Sequence, residues 1–327
     1  MASCTPMPLA TAIGRIKLMS NHAHGQSDAG ALVPPAVAPL PTERMDGRTT
    51  GQVETQFLRF ARLDRLLHLL MIISFISLAV TGMTLKFSYT SWAANVSHIL
   101  GGFQTAGHIH RFAAVVMCGI FVAHLTDLIR LRNRRYGTWR DMLFGPNTML
   151  PNRKDLADFI GSMKWFLGLG ERPQYGRWTY WEKFDYFAVF WGIAVIGSTG
   201  FMLWFSEFLT RFIPGWFLNV ATIIHSDEAL LATGFIFTVH FFNTHLRPEK
   251  FPMDIVIFTG RMPLEEFKRD KPAEYEALRA AGRLERRMVE SYPPIVTRTI
   301  RGFAWAALAI GFFCVVWIIY AMVFAYR

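Results

Sequence analysis

Cysteine is scarce in this chain, and the three cysteines present lie far apart in the sequence. Cys4, Cys118 and Cys314 belong to no CxxC or CxxCH pattern, which argues against a structural zinc site, a protein-held iron–sulfur cluster and covalently attached haem. Charged residues are also few, at 18% of the 327 positions, whereas 52% of the residues are hydrophobic and 15% are aromatic. A soluble domain of this length carries more charge, so these proportions indicate a membrane protein.

Sequence motifs for bond-making catalysis are absent too. The chain has no phosphate-binding glycine loop, no nucleophile elbow and no metalloprotease motif. The net charge of +10 resides in loops between apolar stretches, so membrane topology explains it better than nucleic-acid binding does. We therefore expect no nucleic-acid partner and no centre for bond-making catalysis in the chain itself.

Five apolar stretches each have the length that a hydrocarbon slab of about 30 Å demands. Lys and Arg are absent from the connection 87–107 and limited to Arg211 in 206–222, whereas the connections 131–183 and 246–302 are rich in both. By the positive-inside rule, the N-terminus and the two basic loops are cytoplasmic and the chain ends outside. The sequence thus predicts a multi-pass protein of the bacterial cytoplasmic (inner) membrane. The five stretches are 64–86, 107–130, 184–206, 220–245 and 303–325.

The chain divides into four regions. Residues 1–56 are rich in Ala, Pro, Gly, Ser and Thr without any period, which predicts a disordered cytoplasmic extension. Residues 57–260 form a four-helix transmembrane domain, 261–302 a basic cytoplasmic segment and 303–327 a fifth transmembrane helix. The predicted fold class is an all-α membrane protein, a four-helix bundle with an additional C-terminal helix.

A weak internal repeat supports the four-helix bundle. The first span ends in LAVTGMTLKF (78–87) and the third in IGSTGFMLWF (196–205), and each is followed by a short loop and by a span with histidines near both ends. Two duplicated helical hairpins can hold a cofactor between facing helices. The fifth span has neither histidine nor acidic residues, so we expect it to pack outside the bundle.

The histidines of the spans fall at two depths. An imidazole inside hydrocarbon is rare and costly, so each counts as a functional-site hypothesis. Because successive spans alternate in direction, His110 and His225 lie near the outer face, whereas His68, His124 and His240 lie toward the cytoplasm. At about 100° per residue, the step from His110 to His124 leaves an offset of about −40° and that from His225 to His240 about 60°. Each pair therefore shares a helix face and is separated along the axis by about 21–22 Å.

This arrangement is typical of haem that carries electrons. A low-spin haem of that kind is capped by two neutral imidazoles, which leave no open coordination position. The two levels therefore predict two haems stacked across the membrane. Glycine should line the ring faces, because a porphyrin between helices needs close approach of the backbone. The suitable positions are Gly82, Gly119, Gly200 and Gly234.

The residues RFARLDRLLHLLMIISFISLAVTG (59–82) resemble the first span of a known family. This family comprises the cytochrome b (gamma) subunit of respiratory formate dehydrogenases and its relatives in thiosulfate reductases and nickel–iron hydrogenases. The shared feature is D-R-x-x-H, formed here by Asp64, Arg65 and His68, with a small residue and Gly about fourteen residues on. The resemblance continues through HRFAAVV, GRWTYWEKFDYFAVFWGIAVIGSTGFMLW, the fourth span and FTGRMPLEEFKRDKPAEYEAL, so that it covers about residues 60–280.

The resemblance implies a four-helix cytochrome b with two b haems. Carried over residue by residue, His110 and His225 would ligate the outer haem iron, and His68 and His240 the inner one. A quinone site would lie beside the inner haem, near the cytoplasmic ends of the first and fourth spans. The chain departs from the family in its fourth span, where the histidine spacing is one residue longer than expected, and in its extra His124 and His245.

The extra histidines leave two further ligand arrangements open. His124 could pair with His240, as in quinol-oxidising cytochrome b, which would leave His68 for quinone. A third haem could also be held at the inner edge by His68 and His245. Asn243 and His245 occupy the position where the headgroup of menaquinone or ubiquinone, or its proton supply, could be handled.

The predicted function is that of a membrane-anchoring electron-transfer subunit in a respiratory chain. Electrons would pass between an iron–sulfur or multihaem cytochrome subunit, two or three b haems and the quinone pool. One alternative is a haem-free membrane anchor. Another is a transporter whose histidines relay protons, which predicts broken helices and acidic residues at mid-membrane. The third to fifth spans have no acidic residue at their centres.

Overall fold

Long helices dominate the structure, a computed structural model that describes residues 55–247, 250–251 and 253–325. The predicted disordered extension lies outside the described residues up to position 54. Its last two residues, Thr55 and Gln56, belong instead to a β-strand, so the predicted boundary was too late. The strand escapes sequence reasoning because its pairing partners lie about two hundred positions further along the chain.

The helices of the described residues are α1 to α13, and several continue through π-helical turns. In chain order they are α1 (Arg62–Lys86), α2 (Ser91–Ile99), α3 (Phe103–Leu131) with the π turn Arg132–Tyr136, α4 (Trp139–Phe144), α5 (Arg153–Phe166), α6 (Tyr180–Gly192) with the π turn Ile193–Gly197, α7 (Ser198–Trp204), α8 (Ser206–Leu209), α9 (Trp216–Phe235) with the π turns Ile236–His240 and Phe242–Leu246, α10 (Val256–Thr259), α11 (Leu264–Asp270), α12 (Pro272–Ala280) and α13 (Pro294–Tyr320) with the π turn Ala321–Ala325. The strands are β1 (Thr55–Leu58), β2 (Arg261–Pro263) and β3 (Met288–Glu290).

Five of these helical segments are long and apolar enough to cross a membrane, as the sequence predicted. For the first four spans, most of the observed ends lie within a few residues of the predicted ends. The fifth begins at Pro294, earlier than the predicted residue 303, because the helix includes two polar turns before its apolar part. A proline at the first helical position favours this early start. The five segments are Arg62–Lys86, Phe103–Tyr136, Tyr180–Trp204, Trp216–Leu246 and Pro294–Phe324.

A small antiparallel sheet departs from the predicted all-α class. Its strand order is β2-β1-β3, with Phe57 opposite both Met262 and Met288. Phe57 is fully buried and stacks on Phe267 of α11 at 3.9 Å between ring centroids. The predicted basic segment 261–302 is therefore a folded unit that is held at the start of the first span.

Buried ion pairs fasten this unit to the helical bundle. Glu182, in the first turn of the third span, accepts from Arg59 at 3.1 Å and from Lys271 at 2.6 Å. Burial lowers the pKa of Lys271 to about 8, against the opposing effect of Glu182. Glu274 of α12 pairs with Arg59 and with Arg177 at 2.9 Å. Losing one partner of a buried pair is costly, so these pairs fix the unit in place.

A second charged cluster surrounds Lys250. Its ammonium group lies 3.1 Å from Asp254 and 2.9 Å from Asp270, and it also bonds Glu266. Burial lowers the pKa of Lys250, but the three carboxylates together raise it above its ordinary value. Burial raises the pKa of Asp270. Lys250 and Arg269 outweigh this effect and bring the pKa of Asp270 below its ordinary value. The stabilisation by Asp270 is therefore present above its unfolded pKa and is lost as the pH falls through the folded one.

The fifth span packs on the first and fourth spans. Gly311 lies so close to Phe237 that an added Cβ would be 2.0 Å from its ring. Phe237 belongs to a buried cluster with Met83 of the first span and Cys314 and Ile318 of the fifth. Burial of Cys314 in this cluster agrees with an inert thiol.

Candidate functional site

The first four spans surround a cavity of about 2700 Å³. Ligand pockets commonly measure about 300–1000 Å³, so this cavity can hold more than one large group. Because protein interiors are otherwise close-packed, a volume of this size among the spans is a candidate binding site. The lining is mainly apolar, and it includes all six histidines that the sequence singled out: His68, His110, His124, His225, His240 and His245.

The far pair, His110 and His225, faces across the cavity at the end opposite the basic loops. The centroids of the two imidazole rings are 6.2 Å apart and the ring planes are inclined by 77°. Two imidazoles that bind one metal ion from opposite sides, with bonds of about 2 Å, have ring centroids about 6 Å apart. The ring separation of the far pair therefore fits two histidines that would hold one metal ion between them.

The Nδ1 atom of each histidine in the far pair is bound to the preceding span. His110 Nδ1 lies 2.9 Å from Thr81 Oγ1, whose hydroxyl donates to Ser77 O at 2.6 Å. His225 Nδ1 lies 3.0 Å from Ile196 O, a carbonyl oxygen that can only accept. Both Nδ1 atoms therefore donate, which leaves the lone pair on Nε2. Metal-binding histidines are held in this way, with the second ring nitrogen bonded to a carbonyl or similar acceptor.

The glycines of the two repeats lie against these imidazoles. A Cβ on Gly82 would be 3.3 Å from His110 Cε1, and one on Gly200 would be 2.9 Å from His225 Cε1. Each glycine follows the threonine that faces the same histidine, Thr81 or Thr199. The repeated Thr-Gly pair thus holds one imidazole in each half of the bundle. Gly82 and Gly200 also line the cavity, and the expectation that glycines line a porphyrin face stays a prediction.

We expect Gly200→Val to displace His225. Valine would bring its Cβ and two methyl groups into the imidazole, so the ring must move away from His110. If the two predicted haems are bound, haem per chain should fall from two to one, measured by absorbance of the extracted haem. Gly302→Val is the matched control, because Gly302 lies in the fifth span and a Cβ there meets nothing within 4 Å. Equal haem content in both variants would contradict the assigned role of Gly200.

The basic-end cluster consists of His68, His240 and His245. His240 Nδ1 lies 2.9 Å from Asp185 Oδ2, in the first turns of the third span. His68 of the first span and His240 and His245 of the fourth line the same cavity. Among the described residues, the Nδ1 atoms of His68 and His245 are buried and have no hydrogen-bond partner. Buried polar atoms without partners point to a ligand of the cavity.

His124 is bonded to the third span rather than to the basic-end cluster. Its Nε2 lies 2.8 Å from the hydroxyl of Tyr186, and its ring contacts Phe190 edge-on. Haem ligation through this nitrogen would require His124 to release Tyr186. The structure therefore favours His68 over His124 as the neighbour of His240.

A π-helical turn explains the long histidine spacing in the fourth span. The turn Ile236–His240 lies between His225 and His240. A π turn accommodates one extra residue, so fifteen residues here cover the same rotation as fourteen in a regular helix. His225 and His240 thus keep a common face. The next π turn, Phe242–Leu246, carries Asn243 and His245, and both line the cavity at the basic end.

Sequence reasoning missed the residues that hold the histidines. Asp185, Tyr186, Thr81 and Thr199 were not singled out, although Asp185 carries a usable signal. A carboxylate inside an apolar span is rare and is a functional-site hypothesis by default. Hydroxyl groups in helices give no comparable signal, since most bond their own backbone, as Thr84 does to Val80 O.

The described residues contain no group of three or more His, Cys, Asp or Glu side chains that could hold a metal ion by themselves. Axial ligation of haem needs only two, because the porphyrin supplies the remaining ligands. No protein-family model matches the chain, and a search of curated proteins found no significant similarity.

Proposed function

We propose that this chain is a membrane-anchored b-type cytochrome that holds two haems between its first four spans. It would transfer electrons between a partner oxidoreductase and the quinone pool of a bacterial cytoplasmic membrane. The partner's redox centre would be an iron–sulfur or multihaem subunit. When bound, haem supplies reversible one-electron transfer.

One observation carries the proposal, namely the geometry of the far pair. His110 and His225 come from different spans, have ring centroids 6.2 Å apart and donate through their Nδ1 atoms, so their Nε2 atoms would hold the iron of one haem. The lone pair on Nε2 of each imidazole is then left for iron. The apolar cavity between the spans has the volume that two macrocycles require.

At the basic end, His68 and His240 fit a second haem best. His240 is oriented by Asp185, and His68 approaches from the first span. His245 and Asn243 then remain for a quinone headgroup, as hydrogen-bond partners for its oxygens. If His245 held a third haem instead, Asn243 would remain as the hydrogen-bond partner for the quinone headgroup.

Asp185 should tune the inner haem through His240. A carboxylate that accepts from Nδ1 makes the imidazole a stronger ligand and stabilises oxidised iron. We expect Asp185→Asn to weaken retention of one haem about 10–100-fold and to raise the midpoint potential of that haem alone. A redox titration of the purified variant measures the midpoint potentials of both haems at once.

The control is Tyr186→Phe, which removes the bond to His124. Equal shifts in the midpoint potentials of both haems in Asp185→Asn would contradict the role of Asp185 at the inner haem.

The electron-transfer function predicts that quinol reduces the bound haem. Purified protein in detergent is mixed with menaquinol or ubiquinol, and the alpha band of reduced b haem is followed. We expect His245→Ala and Asn243→Ala to slow reduction at least about tenfold, as loss of a positioning contact does. His98→Ala, an exposed histidine of α2, is the control. Haem that dithionite reduces but neither quinol reduces would contradict a quinone-linked function.

A further inference from the structure

Helix α5, in the connection between the second and third spans, is amphipathic in an inverted sense. Its buried residues are polar, namely Asp155, Asp158 and Ser162. Its large apolar side chains are exposed instead, by 39% to 72%: Leu156, Phe159, Ile160, Met163, Phe166 and the following Leu167. A helix that packs on a protein and faces water shows the opposite pattern.

Specific polar contacts fix this orientation. Asp155 pairs with Lys183 at 2.9 Å, and both side chains are nearly buried. The hydroxyl of Ser162 bonds that of Tyr175 at 2.7 Å. Asn152 caps the helix by accepting from the backbone N–H groups of Lys154 and Asp155. Turning the apolar face inward would break a buried ion pair, which is strongly unfavourable.

The same contacts fix the depth of α5. Lys183 lies in the first turn of the third span, and Phe159 contacts the ring of Tyr180, the first residue of that span, at 5.5 Å between centroids. The helix therefore lies beside the end of a membrane-spanning segment, where hydrocarbon gives way to lipid headgroups. Aromatic residues such as Tyr180 and Trp181 are enriched at this level.

Basic residues lie next to the apolar face. At about 100° per residue, the exposed apolar side chains occupy one sector of the helix of about 120°, and the neighbouring sector contains Arg153, Ala157 and Lys164. All three of these residues are exposed. Helices that lie in the interface of an anionic membrane show the same arrangement, with Lys and Arg beside an apolar face.

We propose that α5 is an in-plane membrane helix that inserts Leu156, Ile160 and Met163 into the leaflet at the basic end of the bundle. Arg153 and Lys164 contact the anionic headgroups of that leaflet. The inference rests on the membrane-spanning character in the proposed function and is independent of haem. A protein partner on the same face is the competing occupant, and the depth of the helix favours lipid.

The test measures where two sites on α5 lie in a bilayer. The full chain, with Cys4, Cys118 and Cys314 replaced by Ala, receives a nitroxide label at Ile160→Cys or, as the matched control, at Ala157→Cys. Each variant is reconstituted in phosphatidylcholine with or without phosphatidylglycerol. Collisions of the label with oxygen, which enters lipid, and with a water-soluble nickel chelate are measured by electron paramagnetic resonance.

We expect the ratio of oxygen to nickel collisions to be several-fold higher at Ile160 than at Ala157. Phosphatidylglycerol should raise the ratio at Ile160, and Arg153→Glu with Lys164→Glu should abolish that rise. A label at Ile160 that the nickel chelate reaches as readily as one at Ala157 would overturn the proposal and would favour a protein partner. Haem content, measured on the same samples, reports on the proposed function separately.

Discussion

Replacement of His225 by Ala is expected to remove one of two bound haems and to leave the other in place. His225 is one of two side chains that would bind the outer iron, and its Nδ1 is already committed to Ile196 O. Haem bound per chain should therefore fall from two to one, measured by haem extraction from purified protein. The alpha band of the reduced-minus-oxidised spectrum should fall to about half.

His108→Ala is the matched control for this variant. His108 lies two residues before His110 on the same helix, lines the same cavity and is exposed. His108 therefore has the same side chain as His110 and a similar location, but it does not contact His225. We expect this variant to keep both haems. Equal loss in His108→Ala and His225→Ala would mean that the histidines act through folding, and it would contradict the assignment of the far pair.

Replacement of His68 by Ala is expected to remove the other haem, whereas His124→Ala should keep both. His68 lines the same cavity as His240, and its Nδ1 is buried without a partner among the described residues. His124 is instead bonded to Tyr186 through Nε2. Haem extraction and the redox titration distinguish the two variants, since the remaining haem in His68→Ala should have the midpoint potential of the outer haem.

The opposite result would support the alternative ligand pairing. If His124→Ala loses one haem and His68→Ala retains two, His124 pairs with His240 and His68 is available for quinone. Loss of a third haem in His245→Ala would show a haem at the inner edge. A double variant, His68→Ala with His225→Ala, should bind no haem if the favoured pairing holds.

The features that repeat along the chain could be predicted from sequence. The length of the apolar stretches predicts the five spans. Because successive spans alternate in direction, the position of each histidine in its span predicts its depth. The repeated VTG and STG segments indicated two related hairpins, and the structure places Gly82 and Gly200 against equivalent imidazoles. These inferences need only helix geometry.

Contacts between elements could not be predicted in the same way. Which side chain faces His240 depends on the rotation of the third span about its axis, and no spacing within one helix specifies that rotation. The π turn Ile236–His240 changes the rotation further, and helix spacing alone does not predict it. The sheet was missed because β1 pairs with strands about two hundred residues away.

The most direct test is the haem content of the purified full chain, expressed with an ample supply of haem. The reduced-minus-oxidised spectrum and haem extraction are recorded on the same sample together with the protein concentration. We predict two b haems per chain and the sharp alpha band of low-spin bis-histidine iron. A folded, colourless protein under these conditions would contradict the central claim that the histidines of the first four spans bind haem.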